Sequence, residues 1–395
     1  MPRVLLIINR FNIGGPVFNA AFLAKFLQPE FETLLVGGVP DEEEKDALYI
    51  LEEYRIEAMV IDELKRNPNL SSDRKAYKKL KQIIEDFKPD IVHTHASKAG
   101  ALGRKAALKC NVPVVLHTFH GHIFHSYFGK WKTSIYKNIE RNLARKSTGI
   151  IAISESQKIE LSETFKICSA DKINVIPLGF DLEKFSQNTA ENRIKIRKQY
   201  NIADEEIAIA IIGRLAPIKN HALFLQVIES ILTNEDLPIK IFIVGNGSEW
   251  NPIQEEVERI NLELGNKIVM TSWITDIAPF NAGMDIIALT SRNEGTPMSI
   301  IEAEATGVAV ISTDAGGVKD VMVDGETGYI IPQGNAALYI EKLTSLIKNK
   351  EIREKMSQNG RIFVEDKFGY KVLIKNTAAY YTRLLNKNRY FGLDK

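Results

Sequence analysis

Cysteine is scarce: Cys110 and Cys168 are the two in 395 residues, too few for a disulfide framework, and they point to a reducing compartment. Charge of one sign is scarce as well. The 51 Lys and Arg against 50 Asp and Glu leave a formal net charge of +1, whereas a dedicated nucleic-acid binder carries a basic excess over its whole domain, so no nucleic-acid partner is expected. The N-terminal apolar run from Val4 to Ile8 stops at Asn9 and Arg10, short of a signal peptide or a membrane span. What remains is an ordinary globular composition, 45% hydrophobic and 26% charged, which excludes disordered and collagenous chains. A cytoplasmic protein is expected, with two domains of roughly 150 to 200 residues, because one core seldom organises more.

Short β-branched runs alternate with longer segments whose apolar residues recur every three or four positions. Strands are expected at Val4 to Ile8, Thr33 to Val36, Ala58 to Ile61, Ile91 to His93, Val114 to Leu116 and Gly149 to Ile153. In the second half they fall at Ile207 to Ile212, Lys240 to Val244, Lys267 to Met270, Asp285 to Leu289, Val308 to Ser312 and Tyr329 to Ile331. Segments such as Tyr77 to Phe87 and His221 to Leu232 read as the intervening helices. Strict alternation implies an α/β chain with two doubly wound parallel-sheet domains. The polar, strand-free stretch Asp181 to Asp204 interrupts the rhythm, which places the domains at 1–186 and 187–369, and the amphipathic segment 370–386 is expected to return to the first. Open parallel sheets take ligands beyond the carboxyl ends of their strands, so a cleft between the domains is the expected site.

The loops that follow strands carry the chemistry. After Asp285 to Leu289 comes Asn293-Glu294-Gly295-Thr296-Pro297-Met298-Ser299-Ile300-Ile301-Glu302. Pro297 suits a first helical position and Thr296 a cap, which would leave the Met298 and Ser299 amides as donors at a positive helix end. Such an end binds phosphate. Glu294 and Glu302 would bracket a phosphate-bearing ligand and accept hydrogen bonds from hydroxyls; the lesser alternative is a loop charge and a helix-face charge. Gly213-Arg214-Leu215-Ala216-Pro217-Ile218-Lys219 follows Ile207 to Ile212 and offers a guanidinium fork and a point charge, a combination suited to a diphosphate. A Walker loop is absent.

Gly14-Gly15 opens a helix after the first strand, a weak signal by itself. Gly245-Asn246-Gly247 lacks the third glycine of a dinucleotide fingerprint, so no nicotinamide cofactor is expected. Four histidines lie in His117-Thr-Phe-His120-Gly-His122-Ile-Phe-His125, but no acid or cysteine stands among them, and a metal site is not expected. His120 reads as a polar group delivered to a ligand.

Taken together, Gly213-Arg-Leu-x-x-x-Lys219, Glu294-x7-Glu302, Asp314-Ala-Gly-Gly317 and Asp324-Gly-Glu-Thr-Gly328 resemble the retaining glycosyltransferases of family four, which have the GT-B fold. The likeness runs from the Gly14-Gly15 loop to about Phe368. His93-Thr-His95-x-x-Lys98-Ala-Gly100 and His120-Gly-His122 are similar to the bacterial subgroup that builds capsule, lipopolysaccharide and other surface glycans. The resemblance implies that Arg214 and Lys219 hold the donor diphosphate, Glu302 the ribose hydroxyls and Glu294 the hydroxyls of the transferred sugar. It also implies roles for Gly213 and the Thr296, Pro297 and Met298 backbone near the phosphates, for Ile274 at the base, for Gly15 at the phosphate and for His120 near the reacting carbon. No metal or other cofactor is implied. One departure is Ala309, where many relatives have proline, and a packing change is expected there.

The implied reaction moves a hexosyl unit from a nucleotide diphosphate sugar, UDP-linked in the leading reading, to a lipid-linked or glycan acceptor with retention. A nucleotide-sugar epimerase of the same fold and a non-catalytic sugar-nucleotide binder are the alternatives. From Lys98 to Lys146, ten basic residues face one acid, Glu140, a local +9 that also holds Phe124, Tyr127, Phe128 and Trp131. This reads either as a solvated helix face or as a surface resting on the anionic inner face of a membrane.

Overall fold

The computed structural model describes residues 1–12, 15–40, 47–65, 67, 69–120 and 130–392. The chain divides into two compact units, Met1–Phe180 with Phe368–Lys395, and Asp181–Lys367.

In the first unit the parallel strands are β1 (Arg3–Ile7), β2 (Glu32–Gly37), β3 (Ala58–Val60), β4 (Ile91–His95), β5 (Val114–Phe119), β6 (Gly149–Ala152) and β7 (Ile173–Val175), in the order β3-β2-β1-β4-β5-β6-β7. β7 had no counterpart in the sequence reading. It is a three-residue edge strand, Ile-Asn-Val, with a polar centre, paired with β6. The helix Tyr370–Gly392 belongs to this unit, where Leu373, Tyr380, Tyr381 and Leu384 join the core formed by Leu6, Phe22 and Leu116.

The second unit contains β8 (Ile207–Ile212), β9 (Ile239–Val244), β10 (Ile268–Thr271), β11 (Ile286–Leu289), β12 (Ala309–Thr313) and β13 (Gly328–Ile331), all parallel, ordered β10-β9-β8-β11-β12-β13. These strands are apolar on both faces because helices cover both sides. The stretch after Asp181 contains two helices, Glu183–Ser186 and Thr189–Gln199. Arg193 and Arg197 pair with Asp285 at 2.7 and 3.1 Å, and Ile196 packs where a side chain on Gly283 would otherwise stand. Residues 181–186, grouped above with the first half, therefore pack in the second unit, with Phe185 buried. Ala309, the departure noted above, is fully buried and opens β12 opposite Ile286.

Each sheet reverses its winding once, between β1 and β4 in the first unit and between β8 and β11 in the second. Ligand crevices form at such reversals, beyond the carboxyl ends of the strands. The residues that follow β8 and β11 are the Gly213 to Lys219 loop and the segment leading to Glu294, and β4 ends at His95.

Candidate active site

In the second unit, the loop after β8 is held by glycines of the loop after β9. A Cβ on Gly245 would lie 1.9 Å from the Gly213 carbonyl oxygen, and one on Gly247 would lie 2.2 Å from the Leu215 oxygen. That glycine pair is thus a packing device. Lys219 closes a 3-10 turn, Pro217–Lys219, and its side chain folds back over Gly213, with Nζ 3.9 Å from where a Cβ would stand. The segment after β11 is bound to the same turn: the Thr290 hydroxyl donates to the Asn220 carbonyl at 3.0 Å and the Arg292 amide to the Ile218 carbonyl at 2.8 Å.

These ties bring Lys219 Nζ to 2.6 Å from Glu294 Oε1. The Ser291 hydroxyl donates to the same carboxylate oxygen at 2.5 Å. Ser291 was missed in the sequence reading; serine in a loop carries no signal, and its role arises because Thr313 and Gln333 donate to its carbonyl and fix the turn. Gly316 and Gly317 explain the Asp314-Ala-Gly-Gly motif. Side chains there would lie 2.1 Å from the Glu294 carbonyl oxygen and 1.7 Å from that of Gly295, while the Gly317 amide donates to Glu294 at 3.1 Å.

The helix begins at Met298, one residue later than expected. Pro297 occupies the cap position in extended backbone (ψ 94°), and no side chain caps the helix, so Thr296 does not play that part. The φ of Pro297, −73°, would suit a helix, and it is the extended ψ that leaves the turn to start after it. The Met298 and Ser299 amides stand in the first turn, where no intrahelical partner exists. Arg214 is exposed, Thr296, Met298 and Ile274 are half-buried, and Pro297 is buried. Glu302 is half-buried on the same helix, and burial pushes its carboxyl up to about 7 against the opposing pull of Lys184.

Glu304, two residues on, is fully buried, and neither carboxyl oxygen has a hydrogen-bond partner of normal geometry among the described residues. Burial raises it well above its ordinary value, the Thr327 hydroxyl offsetting this only in part. A residue masked by a helical pattern gives no sequence signal of this kind.

In the first unit, Gly15 is the first residue of the helix Gly15–Phe26, and a Cβ there would make only ordinary contact with Leu178. Gly14, His122, His125, Phe124, Tyr127 and Phe128 lie outside the described residues. His120 follows β5 directly, and its Nε2 is 2.8 Å from His95 Nδ1 at the end of β4. His93 and His117 are buried and hydrogen-bonded, His93 to Tyr381 Oη and Thr118 Oγ1 at 2.6 and 2.7 Å, His117 to Thr94 Oγ1 at 2.9 Å. The His117 ring fills the space a Gly100 side chain would need, 2.4 Å from that Cβ, which accounts for the glycine of the Lys98-Ala-Gly motif. Burial pushes His120 down to about 3 and His95 well below its ordinary range. Among the described residues no cluster of three or more His, Cys, Asp or Glu could hold a metal ion, and no helix is long and apolar enough to cross a membrane.

Residues 192–363 match the family model for glycosyl transferases group 1, and residues 20–184 the model for glycosyltransferase family 4. The UDP-Gal:alpha-D-GlcNAc-diphosphoundecaprenol alpha-1,3-galactosyltransferase of Escherichia coli is 31% identical to this chain, over 84% of it and 85% of the relative. The capsular polysaccharide biosynthesis glycosyltransferase CapM of Staphylococcus aureus is 28% identical over 86% and 88%. Among solved structures, a glycosyltransferase from Rickettsia africae matches with a TM-score of 0.80 at 23% identity, over 97% of this chain and 99% of that one. Anabaena HepE in complex with UDP matches with a TM-score of 0.78 at 18% identity, over 96% and 100%. The two structural likenesses show the fold, which is GT-B.

Proposed function

Since the chain belongs to glycosyltransferase family 4, we propose that this enzyme moves a hexosyl unit from a UDP-sugar to a lipid-linked acceptor in the assembly of a cell-surface polysaccharide. The observation that carries this reading is the Lys219–Glu294 pair at the winding reversal of the second sheet, in the segment that leads to the first-turn amides of Met298 and Ser299, which a helix leaves without an intrahelical partner. Positive and hydroxyl-accepting groups stand together there, which is what a sugar joined to a diphosphate requires. The names of the Escherichia coli and Staphylococcus aureus relatives, a UDP-Gal transferase and a capsule transferase, support the donor and the pathway class.

On this reading Arg214 and Lys219 neutralise the diphosphate, and Gly213 and the Thr296 to Met298 backbone let it approach the helix end. Glu294 accepts hydrogen bonds from the sugar and Glu302 from the ribose, while the Ile274 main chain meets the base. Gly15 approaches the phosphate and His120 the sugar. The bond from the anomeric carbon to the diphosphate oxygen breaks as the acceptor oxygen bonds to the same face, and the acceptor proton passes to the leaving phosphate. No carboxylate is assigned as a nucleophile, so stabilising the leaving group is the main catalytic effect.

The test is a set of UDP- and GDP-hexoses with a diphosphate-linked lipid acceptor, scored for nucleotide release and for the anomeric configuration of the product. Retained configuration with a UDP donor is expected, and activity within about twofold in a strong chelator, because protein cations and helix amides supply the positive charge. An inverted product, conversion of donor without acceptor, or activity that a divalent ion must restore would each overturn the corresponding part.

We further propose that the chain sits peripherally on an anionic membrane, on its cytoplasmic face, through the helix Lys130–Lys146. Trp131, Ile135 and Ile139 recur every four residues on it and are 78, 43 and 44% exposed. Beside them runs a groove of about 830 Å³ lined by Leu102, Leu108 and Leu143 with Lys105, Lys109 and Lys146 at its walls. Among the described residues, at least three of the ten cations counted from the sequence are already engaged: Arg104 is buried against Glu140 at 2.6 Å, Lys98 pairs with Asp73 at 2.6 Å, and Arg141 donates to the Lys166 and Phe165 carbonyls at 2.9 and 2.8 Å. A cation exposed on this face contributes about 1 kcal/mol near anionic headgroups, screened over about 8 Å at physiological salt. Vesicle sedimentation should show binding to anionic but not neutral lipid, weakening as salt rises; equal binding to both would contradict the electrostatic part.

A further inference from the structure

Glu294 receives two donors on one oxygen. Lys219 Nζ stands 2.6 Å and Ser291 Oγ 2.5 Å from its Oε1, while Oε2 has no hydrogen-bond partner among the described residues. The Glu294 side chain is only 10% exposed, so water can replace neither donor fully.

The two donors are not equally free to leave. Ser291 is fully buried, and its carbonyl accepts from the Thr313 hydroxyl at 2.6 Å and the Gln333 amide at 2.9 Å. Gln333 also donates to the Asp314 carbonyl at 3.1 Å, so residue 291 is tied to the segments after β12 and β13. Its hydroxyl stands on a single side-chain carbon and has one proton, which Glu294 accepts. Lys219 is 22% exposed and carries three protons on a flexible four-carbon stem. The Glu294 backbone is held without Lys219, through the Gly317 amide that donates to its carbonyl at 3.1 Å. An anion arriving beside the pair can therefore take the ammonium, while the hydroxyl stays.

We propose that Ser291 is a positioning residue that keeps the Glu294 carboxylate in place when Lys219 is drawn off to a diphosphate, with Oε2 left for the hydroxyls of the ligand. Lys219 then has two alternative partners, the carboxylate in the free site and the diphosphate in the occupied one, and Ser291 is the donor that Glu294 keeps in both. Without the Ser291 hydroxyl, the departure of Lys219 would strand a largely buried carboxylate, which opposes diphosphate binding. The hydroxyls at Oε2 rest on the transferase reading; the exchange of Lys219 requires only a diphosphate.

The experiment titrates UDP and inorganic pyrophosphate calorimetrically into the native chain, Ser291→Ala, Glu294→Ala and the double variant, with initial rates of sugar transfer alongside. Ser291→Ala should weaken UDP binding by about three- to tenfold and lower kcat by about tenfold or more, through the loss of one hydrogen bond to a charged group. In the Glu294→Ala background the same substitution should change neither, because the hydroxyl acts only through that carboxylate. A serine that merely supported the turn would cost as much in either background. A crystal structure of the native chain with UDP should show Ser291 Oγ still within about 3 Å of Glu294 and Lys219 Nζ on the diphosphate. No loss in Ser291→Ala, or equal losses in the two backgrounds, overturns the proposal. So does a UDP complex in which Lys219 remains on Glu294 or Ser291 turns away from it, and that complex decides alone if Ser291→Ala does not fold. Coupling seen with pyrophosphate but not with UDP faults the nucleotide assignment, and coupling in a chain that transfers no sugar counts against the transferase reading alone.

Discussion

Glu294→Ala is expected to lose turnover by about 10²-fold or more while UDP still binds at least as tightly as to the native chain, whereas Lys219→Ala should lose both. The asymmetry follows from the ion pair. In the free site Lys219 Nζ is already engaged by Glu294 at 2.6 Å, and the two side chains are only 22 and 10% exposed. A diphosphate must therefore draw the ammonium partly away from Glu294, and removing the carboxylate removes that competition. The nucleotide diphosphate product has no sugar for Glu294 to hold, so its affinity should not fall. On the proposed reading Lys219 would make a charged hydrogen bond in both donor and product, worth about 1.5 to 3 kcal/mol, so UDP affinity should weaken by about 10- to 150-fold in Lys219→Ala. Arg214→Ala should behave in the same direction, with the smaller loss expected of an exposed cation. Calorimetric UDP titration alongside initial rates separates the cases. Native turnover in Glu294→Ala, or a loss of UDP affinity in that variant equal to that of Lys219→Ala, would remove the proposed division of labour.

The strands and the loops after them were legible because a parallel sheet covered on both faces forces continuous apolar runs, and Ile207–Ile212 and Ile286–Leu289 are such runs. That their carboxyl ends carry Lys219 and Glu294 follows from topology, so the motif could be read before any coordinates. The reasons for other residues were not local. Gly316 and Gly317 are glycines because the Glu294–Gly295 backbone passes against them, and Ser291 is held by β12 and by Gln333. His95 appeared in the sequence only as part of a motif; its contact with His120 depends on the register of β4 with β5. The start of the helix at Met298 turned on a single ψ angle at Pro297, which sequence pattern does not determine.

Replacing Glu304 by Gln should raise the melting temperature by an amount that grows with pH. The native carboxyl is fully buried, and Gly360 of the helix Lys350–Phe368 closes over it, with a hypothetical Cβ 3.0 Å from Glu304 Cγ, so the side chain cannot turn out to water without moving that helix. Its folded-state pKa therefore lies well above the ordinary value, which the unfolded chain retains. Below the ordinary value both states hold the proton and the substitution should be nearly neutral. As pH rises past it, the unfolded chain releases the proton and the folded chain keeps it, so the native protein loses stability with a slope approaching about 1.4 kcal/mol per pH unit. The loss ends only where pH reaches the folded-state pKa. Gln has no proton to release and escapes the slope, which should separate the two melting curves by several degrees between pH 5 and 8. Glu302, raised to about 7 on the same helix, titrates in both proteins and largely cancels from the difference. A melting-temperature gap that is constant with pH, or one that reverses so that the native chain is favoured at high pH, would mean that Glu304 is ionised and paired in the folded protein. If the gap widens as expected, the helix proposed to meet the donor phosphates is weakened by alkali, and on that reading saturating UDP should offset part of the loss because it binds only the folded state.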